Sequence, residues 1–292
     1  MNVYEIINKR IIDLLERGTI PWKKPWNVAN GIPVNLVSKK EYRGVNVFML
    51  ACQQYGSPYW MTFKQIKEKG GYVRQGEKAT PVIFWKWLDR NDADDDPEGK
   101  NGKVPLLRYY NVFNLEQTEG IPIPEPEVIN NPLNSIEKAE QIITGMPLKP
   151  DIYHGGNKAC YSPSQDTIHL PNQHSFLSPE EYYCTAFHEL IHSTGHTSRI
   201  GRKSILEPTY FGSHEYSKEE LVAEMGAAFL CGYAGIEQNT LENSASYIQG
   251  WLKVLKKDMT LLVHASAQAQ KGADYILKRK GGEEEVTDCM AA

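Results

Sequence analysis

At 292 residues, with 41% apolar and 23% charged positions and a net charge of −4, the chain has ordinary globular composition and length enough for two cores. That excludes a wholly disordered or fibrous protein. Five widely spaced cysteines without a CxxC pair exclude a disulfide framework and a cysteine-ligated zinc, and they fit reduced thiols in a cytoplasmic protein. The N-terminus, MNVYEIINKR, has no apolar signal core and no window approaches ~20 apolar residues, so neither secretion nor membrane insertion is expected.

In chain order, residues 3–17 place Val3, Ile6, Ile7, Ile11, Leu14 and Leu15 at helical spacing, with Gly18 as the stop. The Pro-interrupted segment TIPWKKPWN follows, and then two helices are expected over 45–55 and 63–69. ATPVIFWKWL and VPLLRYYNVF are β-rich runs that predict a hairpin, with the hydrophilic loop 89–103 as its long tip. Four prolines within 119–135 mark a linker. Beyond it the pattern predicts a helix from Ser135, strands over 159–161 and 167–170, helices over 179–194, 218–233 and 243–272, and a frayed tail over 281–292. The expected fold is α+β in two domains: an α/β domain over 1–118, a linker over 119–134, and a mainly helical domain with a small sheet over 135–280.

The two halves differ in charge. Residues 1–88 hold 14 Lys+Arg against 6 Asp+Glu, a balance of +8, whereas 121–292 hold 14 against 22, a balance of −8. Five of the six tryptophans also lie in the basic part. Cations track a phosphate backbone and aromatic faces stack on unpaired bases, so the first half reads as a single-stranded nucleic-acid surface. The candidate contacts are Trp22, Lys23, Lys24, Trp26, Tyr42, Arg43, Asn46, Lys64, Arg74 and Lys78. The competing reading, for any one ring, is that it simply fills a core.

HELIH at 188–192 has the His-Glu-x-x-His spacing. Residues four apart on a helix lie about 40° apart around its axis, so His188 and His192 can converge on one zinc. Glu189 stands beside them, free of the metal and able to take a proton from an activated water. The helix is well specified, with Ser178 as N-cap, Pro179 at its first position, Glu181 completing Ser-x-x-Glu and Gly195 as stop. The five-residue pattern also arises by chance, so a third ligand separates a site from a coincidence.

His196 is one contender, but 188, 192 and 196 drift apart on a straight helix unless Gly195 breaks it. The longer HExxHxxGxxH pattern fails because Ser198 occupies its last position. In SKEELVAEMGAAFL (217–230), Glu220 and Glu224 share one helix face beside Ala223, Ala227 and Ala228, whose small side chains permit close helix packing. In the pattern where a second helix gives one glutamate to the metal and an acid one turn on to a ligand histidine, Glu220 is the ligand and Glu224 holds an imidazole N–H. The reverse assignment and Glu219 stay open, and Ser217-x-x-Glu220 also reads as a capping box. His264 and Tyr247 are candidates to polarise a carbonyl, and the strand near 167–170 is a candidate to pair with an extended peptide.

Through these blocks the chain resembles the ArdC antirestriction proteins of mobile elements and the N-terminal part of TraC-type plasmid primases. The likeness rests on PWKKPW, YRGVN, WMTFKQ, GGYVRQGEKATPVIFWKW and YYNVFNLEQTEGI in the first half. In the second it rests on YYCTAFHELIHSTGHTSRIGR, EELVAEMGAAFL and YIQGWLKVLKKD. The resemblance implies a domain that binds single-stranded DNA, joined to a zincin-like metallopeptidase domain, and protection of incoming plasmid DNA from host restriction during conjugation. It carries His188, Glu189, His192 and Glu220 over to metal and catalytic roles. Zn2+ is the expected cofactor, with Mn2+ or another divalent ion also accepted by imidazole and carboxylate. A host restriction or defence protein is the implied substrate, and no primase catalytic domain is expected, because the chain ends soon after the peptidase domain. The alternative is a non-proteolytic DNA-binding shield, or a conjugation or replication accessory protein, with a structural or vestigial metal site. Glu189 favours hydrolysis, since a structural zinc needs no general base.

Overall fold

The computed structural model describes residues 2–23, 31–89, 103–124, 134–206, 214–236 and 245–279. Helix α1 (Val3–Glu16) starts where Asn2 and Glu5 form a reciprocal capping box, and its apolar stripe buries Ile7, Ile11 and Leu15. After β1 (Val34–Asn35) comes α2 (Val45–Ala51), shorter than the sequence pattern predicts because Gln54 takes a left-handed backbone with φ of 62°. Then follow β2 (Tyr59–Thr62), α3 (Phe63–Glu68), β3 (Tyr72–Val73), β4 (Thr80–Asp89), β5 (Lys103–Asn114) and β6 (Thr118–Glu119).

The main sheet has the order β1-β2-β5-β4, and β3 pairs separately with β6. β4 and β5 run antiparallel from Thr80↔Val112 to Asp89↔Lys103, the predicted hairpin. Its tip, 90–102, lies outside the described residues, as do 125–133 of the predicted linker and the whole predicted tail. Leu50 of α2 packs with Tyr42, Trp60, Val82 and Val112, while Ile66 of α3 packs with Leu36, Met61 and Leu115.

The second half opens with α4 (Ser135–Gly145), which starts where predicted and is capped reciprocally by Asn134 and Glu137. A three-stranded sheet follows, from β7 (Asp151–His154), β8 (Cys160–Ser162) and β9 (Thr167–Leu170), in the order β7-β9-β8. Strand β7 is absent from the sequence reading because DIYH is largely exposed and shows no apolar alternation. Strand β9 is central, so the sheet's edges are β7 and β8 and not the strand named from sequence.

The remaining helices are α5 (Pro179–Ser193), α6 (Lys203–Leu206), α7 (His214–Ala234), α8 (Ala245–Lys257) and α9 (Leu261–Ile276). The single helix predicted over 243–272 is thus two. Asp258 breaks it by accepting from the Thr260 backbone N–H at 2.9 Å and the Thr260 hydroxyl at 2.8 Å. None of the described helices is long and apolar enough to cross a membrane.

The two halves share one buried core. Ile7, Ile11 and Phe48 from the first belong to the same apolar cluster as Phe187, Phe229 and Leu255 from the second. Phe48 stacks on Phe229 with centroids 5.0 Å apart, and the Asn8 side chain donates to the Leu255 carbonyl at 2.9 Å. Arg43 pairs with Asp274, and the Gly44 N–H donates to Gln270 Oε1 at 3.1 Å. Fully burying one large apolar side chain contributes about 1.5–3 kcal/mol, so this seam holds the halves together far more firmly than a tether would.

Candidate metal centre

α5 and α7 carry the chemistry, and small residues let them approach. A Cβ on Gly226 of α7 would lie 2.6 Å from Ile191 Cδ1 of α5, so only glycine allows this contact. On α5, capped by Ser178, His188 and His192 project side by side with their Nε2 atoms 3.1 Å apart. Glu220 of α7 meets both, with His188 Nε2 to Oε2 and His192 Nε2 to Oε1 each at 3.6 Å. Ligand atoms on a tetrahedral ion with bonds of about 2.0–2.1 Å are separated by about 3.3–3.4 Å. The three observed separations bracket that edge length, so this donor set fits a divalent cation.

Among the described residues these three are the only group whose donor atoms all lie within 4.8 Å of one another. They line a cleft of about 580 Å³ together with Glu189, Tyr216, Glu219 and residues of β8. Burial disfavours the charged form of the His188 imidazole, but Glu220 and Glu189 outweigh it and raise its pKa.

The residue that steadies His192 is Glu219, and this corrects the role expected of Glu224. His192 Nδ1 lies 3.2 Å from Glu219 Oε1, so the N–H on that side has an acceptor while Nε2 faces the other ligands. Glu219 also takes Arg202 Nη2 at 2.5 Å and Nε at 3.1 Å, and the Ser204 hydroxyl. Burial alone would raise its carboxyl, yet His192 and Arg202 hold it down to about 2. Arg202 in turn donates to the Ile191 carbonyl at 2.8 Å and Thr194 Oγ1 at 2.6 Å, which locks the C-terminal end of α5. Glu224 instead accepts from Trp22 Nε1 at 2.7 Å and from the Tyr247 hydroxyl. The spacing argument fails here because Glu219 and Glu220 straddle the metal-facing line of α7, one reaching the ion site and the other the ring behind it.

Other expectations resolve in the same way. His196 lies beyond α5, bonded to Ser198 Oγ at 2.8 Å, and is outside the ligand group. Gly195 serves packing, since a Cβ there would lie 2.5 Å from Ile205. Tyr247 bonds Glu224 and His264 packs on Tyr4, so neither joins the cleft lining, whereas Tyr216 does. Arg202 and Tyr216 carried no local sequence signal.

Of the sequence-predicted DNA contacts, Trp22, Tyr42 and Asn46 are core residues, and that expectation is corrected for all three. Trp22 is fully buried edge-on against Trp251, and Tyr42 is buried with its hydroxyl pushed up to about 12 by desolvation. Asn46 exchanges two 2.8 Å hydrogen bonds with the Ile83 backbone. Lys23 sits over the Tyr247 ring at 3.9 Å, and Arg43 is paired with Asp274. Lys64, Arg74 and Lys78 are exposed, and Lys24 and Trp26 lie outside the described residues.

A family model described as the N-terminal domain of anti-restriction factor ArdC matches residues 1–113, and one described as a zincin-like metallopeptidase matches 137–268. The metal-free crystal structure of the antirestriction ArdC protein from R388 plasmid matches with a TM-score of 0.74 and 35% identity, over 95% of this chain and 97% of that one. The chain belongs to the ArdC antirestriction family. The Mn(II)-bound structure of the same ArdC protein matches with a TM-score of 0.72, also at 35% identity, over 95% of this chain and 98% of that one. The uncharacterized protein y4eC of Sinorhizobium fredii (strain NBRC 101917 / NGR234) is 32% identical, over 94% of this chain and 91% of its own length. Two Escherichia coli proteins named DNA primase TraC are 38% and 36% identical over 94% of this chain, which spans only 27% and 20% of their lengths.

Proposed function

We propose that this ArdC-family chain is a metallopeptidase that binds single-stranded DNA and acts in the cytoplasm, where it protects incoming mobile-element DNA by cleaving a host restriction or defence protein. The observation that carries the reading is the place of Glu189. It lines the cleft beside three convergent ligand atoms without being one of them, which a general base requires and a structural metal site does not.

His188, His192 and Glu220 would hold the ion, Zn2+ or another divalent cation such as the Mn(II) of the R388 relative. When bound, it supplies a Lewis acid that polarises a carbonyl and acidifies water. Glu189 accepts the proton of the attacking water and passes it to the leaving amine. Glu219 keeps the His192 ring oriented, and the free edge of β8 along the cleft offers unpaired backbone to an extended peptide. The balance of +8 over residues 1–88 suits a polyanion.

The test is transfer of unmodified DNA into a restricting host, comparing wild type with Glu189→Gln. That change retains the ligands and removes the base, and cleavage should fall by at least about 100-fold. Loss of protection with metal retained supports hydrolysis. Full protection by Glu189→Gln would replace this reading with that of a DNA-binding shield whose metal is structural.

A further inference from the structure

We propose that the single strand lies on the sheet face where β5 and β2 meet α3, with Phe63, Phe113, Tyr59 and Tyr109 as stacking rings and Lys39 and Lys67 as phosphate contacts. This rests on the reading of the chain as a protein that binds single-stranded DNA, and it moves the contact surface away from the buried Trp22 and Tyr42.

Positions 109, 111 and 113 of β5 alternate onto one face of the sheet. Phe113 is in register with Met61 of β2, so Tyr59, two residues before Met61, lies on that same face. Thr62 caps α3 directly after β2, which places Phe63 at the margin with its ring centroid 6.4 Å from that of Phe113. A small core of Leu36, Met61, Ile66 and Leu115 lies beside them on that face, and Tyr59 and Phe113 pack against it while staying partly open. Phe63 is 49% exposed and Tyr109 is 48% exposed, although Met61, Leu107 and Ile83 on the same sheet face are buried. A core function does not account for the open half of each of these rings.

The charges beside the rings choose the partner. Lys67 Nζ lies 5.0 Å from the centroid of Phe63, and Lys39 Nζ lies 5.5 Å from that of Tyr59. Lys64 is exposed on the same helix, 3.8 Å from Glu68, and Glu119 bonds the Tyr72 hydroxyl nearby. An ammonium over an exposed ring is weakly held on a flexible stem. A base can therefore take the ring face while the ammonium shifts to the adjacent phosphate, the combination that sequence-tolerant single-strand binders use. A duplex keeps its base faces stacked and gives these rings nothing to bind.

The test uses the full chain and a labelled oligothymidylate of about 20 nucleotides, followed by fluorescence anisotropy across a salt series. Phe63→Leu keeps the bulk and removes the aromatic face, and it should weaken binding about tenfold, whereas Phe63→Tyr restores it. Lys39→Ala with Lys67→Ala should weaken binding and make the salt dependence shallower by roughly one counterion per lysine. Thermal melting checks that each variant is folded. If wild type binds the strand and Phe63→Leu binds equally well, this surface is wrong and the DNA role stands. If wild type binds no single strand even at low salt, the DNA role itself falls. Equal affinity for duplex of the same length overturns the stacking assignment.

Discussion

In the metal cleft, the residues that chemistry requires together sit four apart on α5 and side by side on α7. At the seam between the halves, residues that touch lie as far apart in the chain as Asn8 and Leu255, or Tyr4 and His264. The cleft exposes polar groups for which a bland explanation is scarce, and the seam buries aromatic groups for which the bland explanation is correct. Trp22 and Phe63 illustrate this well: both are large rings in the basic half, yet one is sealed against Trp251 and Glu224 while the other is half open beside lysine. Composition describes the two identically, and only the third dimension tells them apart.

The largest effect that tests this contrast belongs to Trp22→Ala. Removing a fully buried tryptophan should cost about 3–5 kcal/mol, and it also strips Glu224 of one donor. Urea unfolding of the full chain measures it, and the midpoint should fall with little change in slope. Trp22→Phe, which keeps most of the packing, should leave single-strand affinity intact. A Trp22→Ala protein with an unchanged midpoint and lost DNA binding would return this ring to the contact surface and dissolve the distinction from Phe63.

A middle-sized effect separates the two glutamates. Glu219→Gln weakens the acceptor behind His192 and should reduce metal affinity about 10–100-fold, while Glu224→Gln should leave it near wild type. Metal titration of the two variants decides between them, and the reverse order would restore the role read from sequence. The same residue has a pH signature. Its carboxyl is held at about 2 instead of the ordinary 4.5, so the ionised form stabilises the fold fully above about pH 4.5. That contribution, on the order of 3 kcal/mol, is lost as pH falls from about 4.5 to about 2. Glu219→Gln should flatten this part of the acid unfolding curve, although it is less stable at neutral pH because Arg202 is left buried without its counter-charge.

What the sequence carried follows from how local each constraint is. The His188–His192 pair, the cap at Ser178 and the β4–β5 hairpin each rest on neighbours within a few residues or on a simple alternation, and all three are legible. The break at Asp258 was missed although it is local, because its Asx capping competes with an otherwise continuous helical pattern. Arg202 was invisible for a different reason: a buried arginine has no periodic signature, and its partners come from two helices that only the fold brings together. The distinction between Glu219, Glu220 and Glu224 needs the rotation of α7 about its axis to within one residue, about 100°, which spacing alone does not fix.

The smallest effect concerns the rim of the seam. Lys256 and Glu16 join α8 to α1 at 2.8 Å, but their side chains are 55% and 49% exposed, so water and salt screen the pair and both chains lose rotamer freedom to form it. Lys256→Ala should change unfolding free energy by no more than about 0.5 kcal/mol, and less at high salt. Arg43, one-quarter exposed against an almost buried Asp274, belongs to the interior of the same seam, and its loss leaves a buried carboxylate unpaired. A Lys256→Ala cost as large as that of Arg43→Ala would mean that charge at the rim holds the halves together. A negligible one places that work with Phe48, Phe229, Trp22 and Trp251, whose contacts salt does not weaken.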